Sequence, residues 1–250
     1  MSIRERNMRL RSTPNKSAPV VHKSEPTVSG LAPVVPKDSG VIYVAYGSKA
    51  IDMAKKSIEI LRYFNNKIPV SVISDQEIED VNNIYHEDTD SGARFIKTSI
   101  YFLSPYKRTL YLDADTELKS DPTSYFSLLD KVDLVMGQDV TRIFNKTTHP
   151  HLVQEEVEAT IEETDGGEFI QYNTGVIFFR KCDAVEKLMR AWHEEWKRWK
   201  RQDQPAMFRA MYRHPVRIAP MREPFNTHHS AKAKVVFHAH RRASREGSPK

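Results

Sequence analysis

A single cysteine in 250 residues, Cys182, excludes an internal disulfide and fits a reducing compartment. No apolar run approaches the length of a membrane span, and the basic N-terminus lacks the apolar core of a signal peptide. The expected location is cytoplasmic. The first strand-turn-helix segment lacks both G-x-G-x-x-G and G-x-x-x-x-G-K-[ST], which disfavours dinucleotide oxidoreductases and P-loop NTPases. No internal repeat is visible, so a solenoid is not expected. A hydrophobic fraction of 39% is low, yet the length suffices for one large domain with a proper core.

Basic excess is confined to the ends. Residues 1–39 hold seven Lys/Arg against three Asp/Glu, and residues 238–250 hold four against one. With +5 for the whole chain, the stretch 40–237 is left at −2. The sequence pI near 9.1 is thus a property of the tails. Such tails attract a polyanion such as nucleic acid, or serve only as solvated ends.

Five prolines and no sustained periodicity make residues 1–39 a disordered basic arm. Order is expected from Gly40. Val41 to Ala45 reads as a buried parallel strand, Tyr46-Gly47-Ser48 as a turn, and residues 50–65 as a helix with Ile51, Ala54, Ile58 and Leu61 on one face. Residues 69–73 give the next strand, which makes a β-α-β opening and an α/β fold. A nucleotide fits over the first strand's end, beside Ala45, Tyr46 and Gly47. Tyr46 has two readings, stacking on a base or packing on the helix.

Residues 76–92 read as loop or short helix, and Arg94 to Leu103 as one helix ended by Pro105. Arg94 and Lys97 share a face of that helix. Further strands are expected at 133–137, 174–179, 216–218 and 234–237, with a loop or lid and one short helix between His149 and Gly167. Asp183 to Arg201 reads as the longest helix, N-capped by Asp183, with Trp192, Trp196 and Trp199 as core rather than a stacking platform. Its Lys197, Arg198, Lys200 and Arg201 read as a solvated end. Asp203-Gln204-Pro205 opens another helix that runs to about Tyr212.

The organising stretch is Leu110-Tyr111-Leu112-Asp113-Ala114-Asp115. Residues i and i+2 of an extended chain point to one side, so both carboxylates converge at a strand's end. Carboxylates that close repel unless a cation lies between them, and a hard divalent ion with open positions for phosphate oxygens suits the pair.

Three other features follow in order: Asn173-Thr174-Gly175 leading into an apolar strand, Asp203-Gln204 opening a helix, and an apolar strand ending at His238. Together with the acid pair they resemble the nucleotide-sugar glycosyltransferases of GT-A fold, closest to glycosyltransferase family 8, over about residues 40–240. The resemblance implies a single Rossmann-like GT-A domain with a mixed, mostly parallel central sheet, followed by a basic tail at 241–250. It implies that Asp113, Asp115 and His238 hold Mn2+ or Mg2+, with His240 as an alternative ligand. One imidazole among the ligands shifts preference toward manganese. By the same resemblance, Lys97, with Arg94 as second choice, reaches a UDP-linked donor, Asn173 faces the donor sugar, and Asp203 and Gln204 lie beside sugar and acceptor. Gln204 is no general base, and the family implies retention of configuration. Where the family often carries glycine and a Lys-Pro-Trp segment after its histidine, this chain has Ala239-His240-Arg241-Arg242, with Arg241 as the substitute contact to the diphosphate. The expected activity is metal-dependent hexosyl transfer to a hydroxyl acceptor. The alternatives are glycosylation of modified bases in DNA, with the tails on the nucleic acid, and nucleotidyl transfer on a related fold.

Overall fold

Val41 to Val44 are apolar at every position because both faces of their strand are covered. A computed structural model describes residues 37–86, 92–139, 152–166, 170–222, 225–227 and 231–238. In it, β1 (Lys37–Val44) is central to a seven-stranded sheet of order β3-β2-β1-β4-β7-β6-β8. The other members are β2 (Val70–Ser74), β3 (Asn82–Tyr85), β4 (Tyr106–Asp113), β6 (Leu134–Asp139), β7 (Gln171–Arg180) and β8 (Ile218–Met221). All pairings are parallel except those of β7 with β4 and β6. A second sheet, ordered β5-β10-β9, joins β5 (Thr116–Leu118), β9 (Asn226–Thr227) and β10 (Val236–His238).

Side-chain alternation along the strands divides the core in two. Val41, Tyr43, Val176 and Phe178 pack with α1 (Gly47–Phe64) and the 3-10 helix Thr123–Asp130. Ile42, Val44, Ile177 and Phe179 pack on the other face. That face is covered by α2 (Gly92–Lys97), α3 (Ile100–Leu103), α5 (Asp183–Trp199) and α6 (Asp203–Arg213). The remaining helix is α4 (Gln154–Glu163). Trp192 is fully buried, and burial of a residue that size contributes about 4–6 kcal/mol as an upper bound. Its indole Nε1–H donates to the Asp203 carbonyl at 2.8 Å, which fixes the start of α6 against α5.

Several expectations are corrected. The strand β1 begins at Lys37, whose pairing with Tyr106 extends it back from the expected Val41. Residues 82–85 form an edge strand, with Asn82 and Asn83 side chains bonded to Ser71 and Ile78. The helix expected over 94–103 is broken at Thr98-Ser99. Both hydroxyls donate to the Phe95 carbonyl and reach His193 Nδ1, so they compete with the helical backbone. Cys182, not Asp183, precedes α5, and no side chain caps it. The longest helix is α1, at 18 residues against 17 for α5. Asn173 lies within β7 rather than before it, β8 begins at Ile218 rather than Val216, and β10 ends at His238. One helix, α4, does occupy the lid segment, of which residues 152–166 are described, whereas the basic arm to residue 36, His240, Arg241 and the tail lie outside the described residues.

Candidate active site

Because β7 runs against its neighbours, its first residues meet the last residues of β4, and the site forms at that junction. Asp113 ends β4 opposite Val44 of β1, and Tyr111, two residues earlier on the same side, donates its hydroxyl proton to Asp113 Oδ1 at 2.6 Å. Lys97 Nζ lies 2.9 Å from the same oxygen and 2.7 Å from Asp203 Oδ2. It also sits 5.4 Å from the centre of the Tyr111 ring. Burial alone would lower the Lys97 pKa, but the two carboxylates outweigh it and hold the ammonium above its usual range. Burial would likewise raise Asp203, and Lys97 with Thr174 reverses that and keeps it below the usual carboxylate range. The Thr174 hydroxyl donates to Asp203 Oδ2 at 2.6 Å, and Arg94 Nε stands 3.7 Å from Oδ1. Burial, with Asp113 beside it, lifts the Tyr111 phenol well above its usual value, so it stays a donor.

With Asp113 Oδ1 so engaged, Oδ2 turns to β10. Asp113, Asp115 and His238 each offer one ligand atom, all within 4.8 Å of one another. Asp115 lies in the turn after β4, and His238 is aligned with Thr116 by the β10–β5 pairing. Gly175 completes this cradle: a Cβ there would collide with His238 Cε1 and Asp113 Oδ2. A glycine is required because the imidazole and carboxylate approach its backbone, not because of an unusual φ. Two carboxylate oxygens and an imidazole nitrogen form a donor set suited to a divalent ion such as manganese or magnesium.

Asn173 Oδ1 accepts from the Gly175 amide at 2.8 Å and from Asn226 Nδ2 at 2.9 Å, which leaves the Asn173 amide group to donate. Gln204 Nε2 donates to Asp139 Oδ2 at 3.0 Å, so its carbonyl end is the free acceptor. A cleft of about 540 Å³ opens over Lys97, Tyr111, Asp113, Asp115 and Asp203, a volume in the range of ligand sites. Its wall on the β1 side is Val44 and Met53. Ala45 is buried in the core, Tyr46 is half-buried against the α2–α5 face, and Gly47 is exposed at the start of α1, with φ +75°.

Sequence reasoning did not single out Tyr111, Thr174 or Asn226 for the site. Tyr111 had a signal, since it shares the Asp113 side of the strand. Lys200 and Arg201, read as a solvated helix end, are exposed past the end of α5 and also line the cleft.

The profile of the nucleotide-diphospho-sugar transferases matches residues 97–237, more than half of the chain. The chain belongs to this family. The matched span begins at Lys97, contains Asp113, Asn173 and Asp203, and ends one residue before His238. This nucleotide-diphospho-sugar transferase is similar in fold to the bifunctional glycosyltransferase WbbM, with a TM-score of 0.57 and 14% identity. That similarity covers 78% of this chain and 40% of WbbM. Mouse xyloside xylosyltransferase 1 matches with a TM-score of 0.52 and 12% identity, over 76% of this chain and 87% of its own. No curated protein matches the sequence. Family and fold together make the transferase an enzyme of the GT-A glycosyltransferase kind, on the mixed, mostly parallel sheet expected. Among the described residues, no helix is long and apolar enough to cross a membrane.

Proposed function

We propose that the enzyme moves a hexosyl group from a UDP-linked donor to a hydroxyl acceptor, with retention of configuration and dependence on a divalent metal, in the manner of glycosyltransferase family 8. The observation that carries this reading is the convergence of Asp113, Asp115 and His238 on a space kept open by Gly175, beside the buried Lys97. A divalent ion held there supplies positive charge for the departing nucleoside diphosphate. Lys97, fixed by Asp113 and Asp203, adds a second preorganised charge at the same end of the cleft. The Asn173 amide donates to a donor-sugar hydroxyl, and the Gln204 carbonyl accepts from one. Asp203 is ionised and held by Lys97, Thr174 and Arg94, so its role is to orient substrates rather than to take a proton. Arg241, outside the described residues, is assigned to the diphosphate on the sequence resemblance.

Family membership favours sugar transfer over nucleotidyl transfer. The basic tails that suggested a DNA acceptor lie outside the described residues, so the acceptor is proposed only as a hydroxyl compound. Calorimetric titration of UDP with manganese and in EDTA tests the reading. Binding is expected to need the metal and to be lost in Asp115→Asn; equal affinity in EDTA overturns metal dependence.

A further inference from the structure

The last turn of α5 and the two residues just past its end carry four basic residues that fall into two kinds. Lys197 is bound to Glu194 at 2.9 Å and Arg198 to Glu163 at 2.6 Å. Lys200 and Arg201 are exposed, line the cleft, and form no ion pair among the described residues. The C-terminal dipole of α5 favours cations at this end and accounts for a basic residue type. It does not account for the backbone. Lys200 closes the helix in the left-handed conformation, φ 53° and ψ 37°, where glycine is the usual residue. A strained position kept by a charged side chain on a cleft wall is an observation from which function is argued.

Neutral sugars are held through hydroxyls, and Asn173, Gln204 and Asp203 already supply amide and carboxylate groups for that. An ammonium and a guanidinium that form no ion pair among the described residues match an oxyanion instead, with the Arg201 charge also acting at longer range on Glu156. The charged residues lining the cleft are Arg94, Lys97, Lys200 and Arg201 against Asp113, Asp115 and Asp203. Lys97 is already shared by Asp113 and Asp203, and Arg94 lies near Asp203, so Lys200 and Arg201 remain for a ligand.

We infer that Lys200 and Arg201 form a subsite for a carboxylate or phosphate carried by one of the two sugars brought together there. The substrate class is an anionic sugar. This rests on the sugar-transfer reading above and adds a specificity that reading does not contain.

The test is calorimetry on the full chain and on the Lys200→Gln, Arg201→Gln double variant, with the single Arg201→Gln variant as a check should the double one melt early. One arm compares UDP-glucuronate with UDP-glucose in the presence of manganese. The other compares glucose 6-phosphate with methyl glucoside, with and without UDP. The unaltered protein is expected to prefer the charged member by about tenfold in one arm, which names the sugar that carries the anion. That preference should weaken with salt and vanish in the double variant, while UDP affinity stays within about twofold. Equal binding in both arms, or a preference that survives in the variant, overturns the subsite. A tenfold loss of UDP affinity in the variant also overturns it, because the diphosphate is then the anion these cations serve. Failure of the unaltered protein to bind UDP sinks the transfer reading instead, and glucose 6-phosphate titrated alone still decides the subsite.

Discussion

Two buried cations in this protein each lie between two carboxylates, and they do different work. Lys97 bridges Asp113 and Asp203 on the floor of the cleft. Arg209, fully buried in α6, bonds Glu195 of α5 at 2.8 Å and Glu156 of α4 at 3.1 Å, and takes Thr160 as well. The planar guanidinium spends its donors in fixed directions and fastens three helices. The ammonium is a point charge, so the carboxylates it holds keep oxygens for other partners. Similar charge patterns therefore give a fastener in one place and a prepared site in the other. What separates them is whether space opens beside the acids.

Substitutions should break this comparison in opposite ways. Arg209→Met is expected to destabilise by about 3–5 kcal/mol, since buried Glu156 loses its ion-pair partner and Glu195 is left with Arg213 alone. UDP affinity of the folded fraction should hardly change. Burial already pushes the Glu156 pKa up, with Arg209 opposing it. Without Arg209 the carboxyl rises further, so the variant's deficit should shrink as the pH falls and Glu156 takes a proton. Urea unfolding at several pH values measures both effects, and a deficit that grows on acidification contradicts this account. Asp115→Asn should reduce donor turnover on the order of 100-fold with little loss of stability, because Asp115 is only half-buried. Nucleoside diphosphate release and a melting curve, read together, check it. Lys200→Gly should raise stability by about 1 kcal/mol through relief of the left-handed backbone. Its expected signature is higher stability with weaker binding of the anionic sugar. Deletion of residues 1–36 should leave donor turnover within about twofold, since β1 begins at Lys37.

Much of the sheet was legible because apolar runs mark strands covered on both faces, as at Val41–Val44 and Val176–Phe179. The acid pair was legible because Asp113 and Asp115 follow such a run. β3 was hidden because Asn82 and Asn83 are held by side-chain hydrogen bonds, to the Ser71 hydroxyl and the Ile78 backbone, rather than by an apolar run. The link from Lys97 to Asp203 was hidden for a different reason: it depends on where α2 stops and how Trp192 seats α6. Periodicity identifies the face of α5 that meets the core, but it is silent on what lies past the helix end, so Lys200 and Arg201 were assigned to solvent. Asn226 stands on a strand of two residues, too short to leave any pattern.

The pairing of β10 with β5 has a consequence for the order in which the chain acquires its chemistry. His238 takes its place only when Val236, Phe237 and His238 align with Leu118, Glu117 and Thr116. A nascent chain that has emerged as far as α6 already contains Lys97, Asp113, Asp115, Asn173 and Asp203, yet still lacks the third corner of the cradle. Closing so long a loop is slow relative to local helix formation. The small sheet made by β5, β10 and β9 is thus expected to be a late event in folding, and competence to hold a metal should appear with it rather than with the central sheet.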